Sequence, residues 1–471
     1  MTGHHEDRYF DPDPTIRRHA RAIYDTTRAL PIVSPHGHVD PAVLATNEPF
    51  PDPASLIVTP DHYILRMLYS RGVALESLGV APVDGKPPDA ERDPGRVWQT
   101  LADHYSLFRA TPTHAWLEYE LHEVFGIDRE LNAESATHVY DAIAERLRSP
   151  EFRPRALFKR FGIEVLATTD AAADTLEHHI ALRTADLGGR VIPTFRPDSL
   201  FRIAAPAWAT ELSRLEKSAG GTIASYSDFM KALELRRDHF RRAGATASDH
   251  AVVVPRTERV DDAEAERLFA KAFLGAATAA DQERFEAHLI MEMARLSVDD
   301  GLVMQVHAGS LRDHDEWLVA RFGPDRGGDI PVATEFTRNL RPLLNAYGND
   351  ERFRLIVFTL DESTYSRELA PLAGHYPAML LGAPWWFHDS IEGMMRFRRQ
   401  TTETVGIANT AGFTDDTRAF CSIPARHDLA RRVDANYLGE LVARHVIDMS
   451  DAHEMGRELA YELARRAYRL E

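Results

Sequence analysis

The feature that most constrains this chain is an alternation. About eight short apolar runs, each five to eight residues long, are separated by much longer stretches of helical periodicity. In order they are PIVSP (31–35), IEVLATT (163–169), RVIPTF (190–195), ASDHAVVV (247–254), LVMQVHA (302–308), RLIVFTL (354–360), AMLLG (378–382) and GIANTAGF (406–413). Strands separated by helices favour a parallel sheet, because each parallel neighbour needs a crossover connection. Eight such strands are what a closed (β/α)-barrel requires. The first and fourth runs are weak as strands, so periodicity alone does not close the barrel.

The runs are unevenly spaced. Residues 40–160 hold no convincing buried strand but do hold amphipathic patterns such as DHYILRMLYSRGV and THAWLEYELHEVFGI, with apolar residues three and four apart. Three parts are therefore expected: an N-terminal segment with the first strand (1–40), a helical insertion (41–160), and the remainder of the barrel with C-terminal helices (161–471). A chain of 471 residues can bury a large core without staples. Its single cysteine, Cys421, excludes an internal disulfide and a Cys-based zinc site, and its apolar setting in AFCSIP points to a structural thiol. The net charge of −17 argues against nucleic-acid and anionic-membrane surfaces. It leaves room for a small anion, which local arginines can bind inside an acidic protein. With no basic-then-apolar leader and no run of about 20 apolar residues, a cytoplasmic location is expected.

Several chemically capable groups follow these runs. His36-Gly37-His38 comes directly after the first; side chains at i and i+2 share a face, so two imidazoles can meet at the C-terminal mouth, where barrel enzymes place their sites. Imidazole suits zinc and similar divalent ions. Asp416, after the last run, can complete a three-ligand site, and Arg418 can hold a carboxylate in a bidentate fork. Both motifs have plainer explanations: a hydrogen-bonded core histidine for the first, a helix cap at Thr414-Asp415-Asp416 for the second. His307 with Arg312, Arg196 before Pro197, Asp249-His250, and His62-Tyr63 at the start of the insertion are further candidates. Adjacent Trp385 and Trp386 should point apart, one into the core and one forming a flat wall for a sugar.

With these residues set out, the chain resembles the uronate isomerase (glucuronate isomerase) family of the amidohydrolase superfamily. The resemblance is carried by SPHGHVDP (34–41), PDHYILRMLYSRGV (60–73), FRPRALFKRFGIEVLATTD (152–170), DDGLVMQVHAGSLR (299–312) and the collinear motifs of 358–434, from FTLDESTYSRELAPLAGHYP through WWFHDS to TDDTRAFCSIPARHDLARRVD. It implies a distorted (β/α)8 TIM-type barrel with a helical insertion after the first strand. It also implies one divalent metal ion, with zinc expected, on His36, His38 and Asp416. A single ion fits because Asp361, not a histidine, ends the sixth run. Arg196, His307, Arg312, Arg418 and Trp386 are implied as substrate contacts, and His62, Tyr63, Asp249 and Asp416 as catalytic residues. One departure is visible: the family commonly reads Asp-His-Gly where this chain has Asp249-His250-Ala251.

The implied reaction interconverts D-glucuronate with D-fructuronate and D-galacturonate with D-tagaturonate through an enediol. Tyr63 with His62, or Asp416 through a metal-bound water, would move the proton. The partner is a small hexuronate, and a homo-oligomer is expected. Metal-dependent hydrolysis of a lactone or amide is the competing class, since it would use the same ligands to activate water.

Overall fold

The structure, a computed structural model, describes residues 5–470; residues 1–4 of the N-terminal segment and residue 471 lie outside the described residues. Seven wall strands form: β1 (Ile32–Ser34), β2 (Ile163–Ala167, resuming at Asp170–Ala171), β3 (Arg190–Ile192, resuming at Phe195–Arg196), β4 (Ala247–Val252), β5 (Val303–Ala308), β6 (Leu355–Thr359) and β7 (Met379–Leu381). Each pairs in parallel with the next, from β1 to β7. The breaks in β2 and β3 are bridged by Thr168 N–H to Ile192 C=O and Asp170 N–H to Thr194 C=O, both 3.0 Å. The eighth position contributes a single parallel bridge, Leu381 with Thr410. Where it meets β1, the His38 amide donates to the Thr417 carbonyl at 3.0 Å. The wall is therefore an α/β barrel of eight strand positions, with no ladder across its last seam.

Physical chemistry explains the strands that are plain in the sequence. A parallel strand covered by helices is buried on both faces and reads as a continuous apolar run; β6, LIVFT, is buried at every position. The fourth run behaves differently from its composition. Although it contains Ser248, Asp249 and His250, it forms a six-residue strand paired with β5 from Ala247↔Val303 to Val252↔Ala308. All three polar residues are buried, so the polarity that disguises the strand belongs to side chains working inside the protein.

The barrel interior is filled by Val33, Val165, Ile192, Ala247, Val303, Ile356 and Leu380. Between this layer and the mouth, in register with Asp249, Gln305 accepts at Oε1 from the Tyr468 hydroxyl at 3.0 Å. Among the described residues no strand lies between Ser34 and Ile163. The helices of that region bury their own apolar cluster, including Trp98, Phe108, Phe125 and Val139. One of them, His62–Tyr69, starts because the Asp61 carboxylate caps it, accepting from the Tyr63 amide at 2.8 Å. That cap fixes where His62 and Tyr63 enter the mouth of the barrel.

Candidate active site and metal centre

A cavity of about 370 Å³ opens at the C-terminal ends of the strands. It is lined by His36, His38, His62, Arg196, Asp249, His307, Arg312, Trp386, Asp416 and Arg418, the sequence-predicted residues with one exception. The exception is Tyr63. It lies behind His62, its ring 4.7 Å from the imidazole and 5.3 Å from Trp116, outside the lining. Burial pushes its phenol well above the usual range.

Three residues offer ligand atoms that all lie within 4.8 Å of one another: His36, His307 and Asp416. They come from the end of β1, from β5 and from beyond the eighth position. Asp416 Oδ1 is 3.5 Å from His36 Nε2 and 3.1 Å from His38 Nε2. The compact group thus contains His307, expected as a substrate contact, while His38 reaches the shared carboxylate from outside that group. Burial, the largest influence, holds His36 down to about 3, so its imidazole is neutral at ordinary pH. Burial would raise Asp416, but the hydrogen bond from His38 and the other imidazoles around it outweigh it and hold the carboxyl well below the usual range.

His307 provides the test of fit for a cation. Its Nδ1 is 2.6 Å from Asp249 Oδ1, and its Nε2 is buried with no hydrogen-bond partner. Burial acts to raise Asp249, but His307 and then Arg196 override it and keep the carboxyl well below its ordinary range. An ionised Asp249 accepts the Nδ1 hydrogen, so Nε2 is the nitrogen that the neutral ring turns towards the cavity as an acceptor. A carboxylate that fixes the tautomer of a histidine and turns its other nitrogen outward is the usual support of a metal ligand. Stacking of His307 between His36 (4.6 Å) and Phe358 (4.1 Å) fixes the ring plane as well. The donor set, neutral imidazoles with a carboxylate, suits zinc and similar divalent ions.

Four arginines also line the cavity, three of them paired with carboxylates. Arg196 donates to Asp198 at 2.7 Å and lies 3.6 Å from Asp249. Arg312 pairs with Asp329 at 3.0 Å, and Arg418 with Asp325 at 2.6 Å. Arg202, not singled out in the sequence, also lines the cavity and has no ion pair among the described residues. Asp325 and Asp329 were likewise missed; their signal was the turn-rich GPDRGGD (323–329).

Both tryptophans line the cavity, contrary to the expected division. Trp385 meets His307 edge-on at 4.9 Å, and Trp386 stacks on His62 at 4.4 Å. The reason is backbone geometry: Trp386 has φ 49°, so the alternation assumed for neighbouring residues breaks there. Asp313, Asp325 and Asp416 (φ 54°, 65° and 39°) are also left-handed and also line the cavity. Non-glycine residues in such conformations cost about 1–3 kcal/mol each and persist where the surroundings over-determine them. Outside the cavity, Asp361 accepts from the Thr334 amide at 2.9 Å and the Ser363 hydroxyl at 2.6 Å, serving as a turn anchor. Cys421 is buried, and burial pushes its thiol well up.

The family model described as glucuronate isomerase matches residues 14–468. A uronate isomerase of Nostoc punctiforme is 53% identical over 466 residues, covering 99% of this chain and 98% of its own. The crystal structure of glucuronate isomerase from Caulobacter crescentus superposes with a TM-score of 0.97 at 48% identity, covering 100% of this chain and 97% of that one. The uronate isomerase structure from Thermotoga maritima gives 0.92 at 28% identity, with 99% and 100% covered.

Proposed function

The chain belongs to the glucuronate isomerase family, and from that membership we propose that it interconverts the aldose and ketose forms of a hexuronate, D-glucuronate with D-fructuronate and D-galacturonate with D-tagaturonate. The observation that carries this is one cavity joining a neutral-imidazole and carboxylate cluster to four arginines. A hexuronate needs both halves: an anchor for its carboxylate and polar groups at the carbonyl end.

In the proposed reaction a base takes the C2 proton as negative charge develops on O1, the O2 hydroxyl proton passes to O1, and the base returns its proton to C1 as C2 becomes the carbonyl. Proton transfer to or from the reacting group is typically worth about 10²–10⁴-fold. Arg196, Arg202, Arg312 and Arg418 are the cations available to the carboxylate and hydroxyls. His62 is the proposed proton carrier. Both of its ring nitrogens are buried without partners, it lines the cavity, and it is clamped by stacking on Trp386. Burial first and the Arg418 charge second hold it at about 3. A substrate carboxylate on Arg418 offsets that second influence and makes His62 more basic when it is needed. Tyr63, packed behind it, supports the ring.

His36, His307 and Asp416 would hold the divalent ion, zinc in this proposal, with His38 on the shared carboxylate oxygen. When bound, such an ion supplies positive charge that orients and polarises substrate oxygens. A homo-oligomer and a cytoplasmic location complete the proposal; no helix among the described residues is long and apolar enough to cross a membrane. The hydrolase alternative uses the same ligands but gives the four arginines no task.

Proton NMR of zinc-loaded protein with D-glucuronate and, separately, D-galacturonate tests the proposal. Appearance of the corresponding ketouronate is expected. Folded, metal-bound protein that converts neither substrate would overturn the proposal and favour lactones or amides.

A further inference from the structure

One buried cation outside the cavity touches several of the segments that build it. Arg426 lies behind it, only 1% exposed, on the helix Ile423–Ala443. Its Nη1 donates to Asp389 Oδ2 at 2.7 Å and to the Asp415 carbonyl at 3.2 Å, and its Nε donates to Ser422 Oγ at 3.2 Å. The guanidinium lies over the Trp116 ring, 3.6 Å from its centroid, and 5.1 Å from that of Tyr63.

These contacts reach three separate segments, each of which delivers a residue to the cavity. The Asp415 carbonyl belongs to the peptide plane that precedes Asp416. Fixing that plane fixes the frame in which the left-handed φ of Asp416 is set. On the far side of Asp416, the Thr417 carbonyl is held by the His38 amide at 3.0 Å, and the Asp415 side chain is held by His427 at 3.0 Å. Asp389 closes the turn of Trp386, its amide donating to the Trp386 carbonyl at 3.0 Å. Tyr63 and Trp116 come from the helical insertion, and Tyr63 stacks against His62. One planar cation therefore joins the supports of Asp416, Trp386 and His62.

We propose that Arg426 is a positioning residue for the reaction, holding Asp416 in its left-handed conformation and registering the insertion, and with it His62, against the barrel. It touches neither substrate nor metal ligand side chain and acts through the Asp415 carbonyl, Asp389 and the Tyr63–Trp116 pair. The planar fork is essential to this role: a lysine keeps the charge but cannot serve a carboxylate, a carbonyl and an aromatic face in fixed directions.

The proposal rests on the metal and substrate assignment made above, so wild-type zinc affinity and hexuronate turnover are measured first; absence of both overturns that assignment and this one together. Arg426→Lys is then compared in the full-length protein. With far-UV circular dichroism unchanged, kcat is expected to fall about tenfold or more while KM changes less than about threefold. In a chelator competition the variant is expected to lose zinc at about tenfold lower chelator concentration. Near-UV dichroism, to which Trp116 contributes among six tryptophans, should change with it. A merely structural role would lower the melting temperature and leave kcat and zinc affinity of the folded fraction at wild-type values, and that result overturns the proposal. If Arg426→Lys does not fold, Asp389→Asn, which keeps the shape and removes one anchor, decides. A smaller loss of both kcat and zinc affinity supports the role, and wild-type values of both overturn it.

Discussion

At the scale of the residue, the cavity works because charges are committed in pairs. Asp249 serves two partners, fixing the His307 tautomer at 2.6 Å and standing 3.6 Å from Arg196. Asp249→Asn leaves the shape in place but no longer dictates which nitrogen of His307 carries the proton. Zinc affinity is expected to fall about 10–100-fold, measured by chelator competition. Arg196→Met makes the complementary cut, removing a cation while the metal cluster keeps its own residues. It is expected to raise KM for the hexuronate about tenfold or more, with a smaller change in kcat. An unchanged KM in steady-state kinetics would remove Arg196 from substrate binding.

At the scale of the element, the short helix His62–Tyr69 depends on its first residues. Asp61 is its cap, and losing a cap costs about 1 kcal/mol. Asp61→Ala should therefore lower the melting temperature by about one degree in a chain of this size and lower kcat as well, because His62 occupies the first turn. Asp61→Asn, which can still cap, should retain more of both. The same helix shows what was legible in the sequence. DHYILRMLY announces itself through a capping aspartate and apolar residues three and four apart, so its start was readable, as were the apolar strands β5 and β6. The strand β4 was harder, because its polar residues are buried on both faces, Asp249 against His307 and His250 stacked on Phe201 at 5.8 Å, for reasons that only the assembled barrel supplies. Contacts formed across the chain carry no local signal. Nothing near His307 in the sequence reveals that its free nitrogen will meet Asp416, and the orientation of Trp386 follows from a backbone angle that no pattern of hydrophobicity encodes. Arg426 sits in a helix buried along most of its length, where an arginine reads as one of many charges.

At the scale of the whole molecule, buried acids set the dependence of stability on pH. Burial raises Glu120 to about 8, and Asp170 and Asp389 to about 7. A carboxyl whose folded value exceeds its unfolded one contributes stability that is fully present below the unfolded value and is lost as pH rises through the folded one. The window for these acids runs from about pH 4 to pH 8, but the histidines that burial holds low, His36 and His62 at about 3 and His179 and His250 at about 4, gain stability up to about pH 6.5. The melting temperature of metal-free protein should therefore decline from about pH 6.5 to pH 8. Glu120→Gln, unable to ionise, should flatten that decline; an unaltered slope in a thermal-denaturation series would exclude Glu120 as a contributor. Asp249 and Asp416, held low, act in the opposite sense. Their contribution is present above the usual carboxylate range and is lost as pH falls through their lowered values. Metal removal should add a separate loss, about 2.7 kcal/mol if zinc had been present at a hundredfold excess over its Kd. The open seam of the barrel gives this last effect a location. The wall is stitched from β1 to β7, but its final edge meets the first through one backbone hydrogen bond, His38–Thr417, and the His38 imidazole on the Asp416 carboxylate, and His36 and Asp416 stand on opposite lips of that gap. Any ligand gripping both lips acts as a clasp, so the His38 amide should exchange its hydrogen with solvent more slowly when the clasp is fastened, while amides within β5 and β6 keep the same pace.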